Sequence, residues 1–233
     1  MNLTWHVMED RHTLADELAR QVGVWLLEDL EAHQRVTLAV SGGQTPIAFF
    51  QALSRVILPW YRVDITLVDE RWVPVNHERS NEALVRRHLL QNEAEVAHFI
   101  GLKTHHESPD AGVAECRQRL ATLTRPFSVV VMGMGTDGHT ASWFPDSPQL
   151  AQALAPEQSH MVVAQHPPSQ REPRITLTLP VILEARRRVL HLEGNAKQQV
   201  FQQALITTEP VEALPVRALL ERDCHLFWSA HES

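Results

Sequence analysis

Two spacings of apolar residues alternate along the chain. Short runs rich in β-branched residues at 4–8, 36–40, 63–68, 97–100, 127–132, 160–164, 174–179, 188–192 and 224–228 predict strands. Several are almost continuously apolar, as VVVM is at 129–132, which suits strands covered on both faces of a parallel sheet. Between them lie segments of helical period. Residues 14–33 place Leu14, Leu18, Val22, Trp25, Leu26 and Leu30 on one stripe. Thr45-Pro46 opens a helix to residue 56, with a capping hydroxyl and a proline in its first turn. Ser80 caps a helix over 81–90, residues 110–123 are amphipathic, and a helix over 195–205 follows Gly194. The alternation predicts an α/β fold: a mostly parallel sheet with helices on both faces, a Rossmann-like three-layer sandwich. No repeat, low-complexity tract or linker interrupts it, so residues 1–233 read as a single domain.

Ligands of such sheets bind beyond the carboxyl ends of the strands, and four segments with unusual chemistry fall there. In SGGQTP, Ser41, Gly42, Gly43 and Thr45 lead from a strand into a helix. Glycines admit close backbone approach, and the free N–H groups of a helix start favour an anion. The same residues also suit a plain tight turn, and the G-K-[ST] of a nucleotide-binding P-loop is missing. In DERWVP, Asp69, Glu70 and Arg71 follow a strongly apolar strand, where charge is costly unless paired or facing a cleft. They read either as a surface ion pair or as Arg71 facing an anion or oxyanion, oriented by Asp69. In GMGTDGHTASWFP, Gly133, Gly135 and Gly138 match the G-x-G-x-x-G register of dinucleotide sites. That register needs a full helix and an acid at the end of the next strand. Pro145 and Pro148 cut the helix short, and the next strand ends Ala164-Gln165-His166. What remains is a glycine-lined turn presenting Asp137 and His139, and histidine is the side chain best suited to take a proton near neutrality. In LHLEGNAK, Lys197 sits in the first turn of a helix, against the helix dipole unless an anion bridges the two. A solvated lysine is the plainer alternative. Arg174, in EPRITLT, is a second cation at a strand start.

Composition narrows the classes. No apolar stretch reaches the ~18–20 residues of a membrane helix, and MNLTWHVMEDRHT lacks the basic-then-apolar order of a signal peptide. Cys116 and Cys224 are far apart and outside any metal-ligand spacing, so free, buried thiols in a reducing compartment, the cytoplasm, are expected. A net charge of −7 with no block of Lys or Arg argues against nucleic acid. A few placed cations can still hold a small anion locally. The 14 histidines are scattered, His105-His106 reads as a solvated loop, and no metal or other cofactor is expected. The lack of a long exposed apolar stripe favours a monomer.

Taken in order, SGGQTP, DERWVP with Ser80-Asn81, GMGTDGHTASWFP, and RITLTLP followed by G-x-x-K resemble the 6-phosphogluconolactonase family. That family lies within the wider group that includes the glucosamine-6-phosphate deaminases. The resemblance spans residues 38–197 and implies hydrolysis of 6-phosphoglucono-1,5-lactone, in the oxidative pentose phosphate pathway, with neither metal nor nucleotide. It implies His139 as the general base, with Asp137 setting the loop and the ring, and Arg71 beside the sugar acid or the oxyanion. Ser41, Gly42, Gly43, Thr45, Asp69, Arg174 and Lys197 are implied at the substrate and its phosphate. The deaminase branch resembles the chain less, because an asparagine–glutamate pair expected after the histidine is replaced by Ser142-Trp143-Phe144-Pro145. Trp143 stands where the family commonly has a smaller apolar residue, which is expected to alter the pocket's shape. A non-catalytic sugar-phosphate sensor would be expected to carry a helix-turn-helix module and a basic face. The N-terminus offers a strand and an acidic helix instead.

Overall fold

The computed structural model describes residues 2–230. The first half runs β1 (Leu3–Met8), α1 (Arg11–Ala32), β2 (Val36–Val40), α2 (Pro46–Leu53), β3 (Val63–Leu67), β4 (Asp69–Arg71), α3 (Asn81–His88), β5 (His98–Ile100) and α4 (Pro109–Leu120). The second half runs β6 (Val129–Met132), α5 (Leu150–Leu154), β7 (Val162–Gln165), β8 (Arg174–Leu177), α6 (Leu179–Glu184), β9 (Arg187–Glu193), α7 (Asn195–Ile206) and β10 (Cys224–Ser229).

Seven strands form a sheet in the order β1-β10-β9-β6-β2-β3-β5, with every pairing parallel. Every residue of β2, β3 and β6 is buried, the mark of strands covered on both faces. The α/β three-layer architecture is therefore the one the apolar runs predict. Its strand order also says where a ligand belongs. From β2 the chain moves outward through α2 to β3 and β5; it then returns to β6, on the other side of β2, and moves away through β9. Connections leaving the carboxyl ends of β2 and β6 thus diverge, opening a crevice between them.

Strands 160–164 and 174–179 were expected in the same sheet, and here the structure differs. β7 and β8 pair antiparallel and, with β4, form a separate three-stranded sheet in the order β4-β8-β7. Asp69, Glu70 and Arg71 accordingly lie in a strand of their own. Val68 remains tied to both sheets, donating to the Val40 carbonyl and accepting from the Leu177 N–H. β8 stops at Leu177 because Leu179-Pro180 begins α6, where proline lacks the N–H that a strand would need.

The longer helices fall where their stripes place them. α1 starts three residues before the expected Leu14, because Asp10 caps it and accepts from the His12 and Thr13 N–H groups. The Ser80 hydroxyl accepts from Ala83 N–H at the head of α3, as the sequence suggests. Thr45 precedes α2 without making a side-chain cap, which leaves its hydroxyl available elsewhere. Both cysteines are free and buried, and burial pushes each thiol up to about 12. Among the described residues no helix is long and apolar enough to cross a membrane.

Candidate active site

At the crevice between β2 and β6 lies a cavity of about 380 Å³. Ser41, Gly42, Gly43, Thr45, Asp69, Arg71, His139, Arg174 and Lys197 all line it. Asp137 alone of the expected residues stands outside the lining, held against His139.

The loop after β6 closes on itself. Gly135 N–H donates to the His139 carbonyl at 2.9 Å, and Gly138 N–H donates back to the Gly135 carbonyl at 3.0 Å. A side chain at Gly135 would collide with the His139 ring and the Asp137 carboxylate, so the turn depends on glycine there. The result is a His–Asp dyad. His139 Nδ1 lies 2.5 Å from Asp137 Oδ1, which also accepts the His139 backbone N–H at 3.1 Å. Burial pushes the Asp137 carboxyl up, but the hydrogen bonds and charge of His139 outweigh it and hold the group below its ordinary range. With Nδ1–H directed at a carboxylate, the lone pair of Nε2 is the free basic site of the ring. On its flat side the ring stacks on Phe144, centroids 4.2 Å apart. The Arg174 guanidinium lies over the same phenyl ring, 5.4 Å from its centroid.

The small antiparallel sheet supplies the cations. Its register sets Arg71 directly opposite Arg174. Like charges facing each other across strands repel, and Arg174 is only 4 % exposed. Burial, with Arg71 nearby, lowers the pKa of Arg174 even though Asp69 opposes the shift. Arg71 Nη1 donates to the Arg79 carbonyl at 2.7 Å, and Arg174 Nη2 donates to Gln170 Oε1 at 2.7 Å. The Nε of each remains buried with no partner among the described residues. A buried guanidinium facing a half-buried one, each with a spare donor, forms a ready cradle for an anion. Asp69 does not orient Arg71, as the sequence suggested. Its Oδ2 accepts the Ser142 hydroxyl at 2.5 Å and lies 3.9 Å from Arg174 Nη1. Arg71 is fixed by Arg79 and through Glu70, which accepts its backbone N–H at 2.7 Å.

A second polar group gathers at the loop after β2. Among the described residues, the backbone N–H groups of 42–45 meet no acceptor, and the buried Ser41 hydroxyl has no partner. Lys197, in the first turn of α7, donates to the Thr45 hydroxyl at 3.3 Å. Free N–H groups, a hydroxyl and an ammonium together suit a phosphate. Asn81 buttresses this loop: its Nδ2 donates to the Asp69 carbonyl at 2.8 Å, and its Oδ1 occupies the space a Gly42 side chain would need.

Asn81, Phe144, Gln170 and His191 also line the cavity, although the sequence did not mark them as site residues. Asn81 could have been read from its place after the Ser80 cap; the others have no local signal. Trp143, expected to reshape the pocket, is fully buried behind it and donates Nε1–H to the Leu177 carbonyl at 3.0 Å. Away from the cavity, His105 and His106 lie 3.1 and 3.4 Å from Glu115, which also binds Arg119 at 2.5 Å.

Residues 9–228 match the family model described as glucosamine-6-phosphate isomerases/6-phosphogluconolactonase. A 6-phosphogluconolactonase of Rhizobium meliloti is 41% identical over 232 residues, covering 98% of this chain and 100% of the relative. One of Pseudomonas aeruginosa is 40% identical over 211 residues, covering 91% of this chain and 88% of the relative. The crystal structure of a 6-phosphogluconolactonase from Shewanella baltica superposes with a TM-score of 0.95 at 42% identity, over 98% of both chains.

Proposed function

The chain belongs to the family of glucosamine-6-phosphate isomerases and 6-phosphogluconolactonases, and from that premise we propose that it hydrolyses 6-phospho-D-glucono-1,5-lactone to 6-phospho-D-gluconate, in the oxidative pentose phosphate pathway. The observation that carries this reading is the cavity itself, in which a His–Asp dyad, a guanidinium pair and a phosphate-suited loop converge. An ester needs no redox centre, only activated water, stabilised charge and a distal anchor.

In this reading Ser41, the 42–45 backbone, Thr45 and Lys197 hold the phosphate. The lactone carbonyl lies towards Arg71 and Arg174, and Asp69 helps to hold Arg174. His139 Nε2 takes a proton from water as the oxygen attacks C1, and the imidazolium that forms is stabilised by Asp137 across the Nδ1 hydrogen bond. Negative charge gathering on the carbonyl oxygen meets guanidinium N–H groups. When the C1–O bond of the ring breaks, His139 returns its proton to the departing alkoxide, and the new carboxylic acid loses its own proton to solvent. Free, buried thiols support a reducing, cytoplasmic setting.

The test is release of 6-phosphogluconate from freshly generated lactone, measured against the spontaneous rate, for wild type and His139→Ala. Loss of general-base assistance should lower kcat by about 10²–10⁴-fold, with product still bound by the variant. Folded wild-type protein that gives no acceleration would overturn the reading, and glucosamine 6-phosphate deamination would then be assayed.

A further inference from the structure

Beneath the Lys197 side of the cavity, the chain buries a polar group that the hydrolytic steps leave unused. His191, on β9, is 2 % exposed yet lines the cavity. Its ring meets Phe49 edge-on, with centroids 6.1 Å apart. Strand alternation puts Glu193 on the same face, where it is also buried. His191 Nε2 lies 3.6 Å from Glu193 Oε1, too far for a hydrogen bond. Glu193 Oε2 lies 3.9 Å from Arg11 Nε. Among the described residues, neither ring nitrogen of His191 has a hydrogen-bond partner, nor does Glu193 Oε1 or Arg11 Nε. Burial lowers the pKa of His191, overriding the nearby Glu193 carboxylate, while Lys197 and Arg11 act in the same direction as burial.

A buried imidazole with both nitrogens idle is costly, and an apolar ring would fill the space without that cost. The ring borders the cavity with both nitrogens covered, so a partner can reach one from there once the ring turns on binding. We propose that His191 is a specificity-determining ligand of the substrate's phosphate group, held between that phosphate and Glu193. This rests on the reading of the Ser41–Lys197 side of the cavity as the phosphate site. With an anion on either side, the ring carries a proton on each nitrogen, so phosphate binding draws one proton from solvent onto it. His191 thereby favours lactones that bring a phosphate, and it plays no part in moving the proton at the carbonyl.

The experiment compares wild type, His191→Phe and His191→Asn, with inorganic phosphate and 6-phosphogluconate as calorimetric ligands. Kinetics on the phosphorylated lactone and ¹⁵N NMR of the wild-type imidazole complete it. His191→Phe should weaken both ligands and raise KM by about 10- to 100-fold, the range of one charge-assisted hydrogen bond, with kcat within about twofold. His191→Asn, which keeps a donor, should recover part of the loss. Saturating inorganic phosphate should move both His191 nitrogens to protonated shifts. Phosphate affinity in His191→Phe within twofold of wild type, or wild-type His191 resonances unmoved by phosphate, would overturn the proposal. If the variants do not fold, the wild-type NMR decides. Should wild type bind phosphate through His191 and yet hydrolyse no lactone, the reading of the reaction falls and the phosphate ligand stands.

Discussion

Replacing Asp137 measures how much of the catalysis depends on the dyad. In the folded protein one carboxylate oxygen serves both the His139 backbone N–H, at 3.1 Å, and the ring Nδ1, at 2.5 Å. An asparagine keeps its carbonyl oxygen there, because the backbone N–H would repel an amide NH₂. Asp137→Asn therefore preserves the ring's tautomer and removes only the charge. A hydrogen bond to a charged group contributes about 1.5–3 kcal/mol and a neutral one about 0.5–1.5 kcal/mol. The difference, about 1–2 kcal/mol, is further screened because the Asp137 side chain is 47% exposed and that of His139 28%. Asp137→Asn should thus lower kcat by about 3- to 10-fold, less than the unscreened difference would give, and leave KM unchanged. Asp137→Ala removes both acceptor contacts and should cost about 100-fold or more, since the ring then loses its orientation as well. The assay is proton release on lactone opening, read with a pH indicator in weak buffer and corrected for spontaneous hydrolysis. Asp137→Ala with kcat within twofold of wild type would refute the dyad. A fall in Asp137→Asn as large as in Asp137→Ala would refute the tautomer argument.

Two further outcomes follow from the packing. Glu70 accepts four hydrogen bonds, from the N–H groups of Arg71, Asn81 and Glu82 and from the Ser80 hydroxyl, yet burial pushes its carboxyl from 4.5 up to about 7. A raised carboxyl binds its proton more tightly in the folded state, so its stabilisation is complete below about pH 4.5 and lost as pH rises through 7. The stability of wild type relative to Glu70→Gln, from urea melts at pH 5 and pH 8, should fall on the order of 3 kcal/mol between the two; a flat difference would contradict this. Trp143→Phe removes a buried hydrogen bond to Leu177 outside the cavity. It should lower stability by about 1–3 kcal/mol in thermal melts and leave KM within twofold, and a KM change above fivefold would place Trp143 in the pocket after all.

Local pattern was enough for the main sheet, the longer helices and most of the candidate site. Strands such as Val36–Val40 and Val129–Met132 advertise burial on both faces by apolar content alone, and caps such as Ser80 mark helix starts without reference to the rest of the chain. Ser41, Asp137, His139 and Lys197 could be singled out because each stands in a segment that follows a strand, where ligands of such sheets bind. β4, α5 and α6, of three, five and six residues, are too short for a period to show. What only tertiary structure decided is which of these residues meet. Register across the small antiparallel sheet, not any spacing along the chain, sets Arg71 opposite Arg174 and turns Asp69 towards Arg174 and Ser142. His191 reads in sequence as one more position of an apolar strand. It becomes a polar group without a partner only when β9 lies between β6 and β10 and its ring is sealed from water at the cavity wall. Hydrogen-bond satisfaction is a property of three-dimensional neighbours, and residues such as Asp69 and Ser142, 73 positions apart, become neighbours only through the fold.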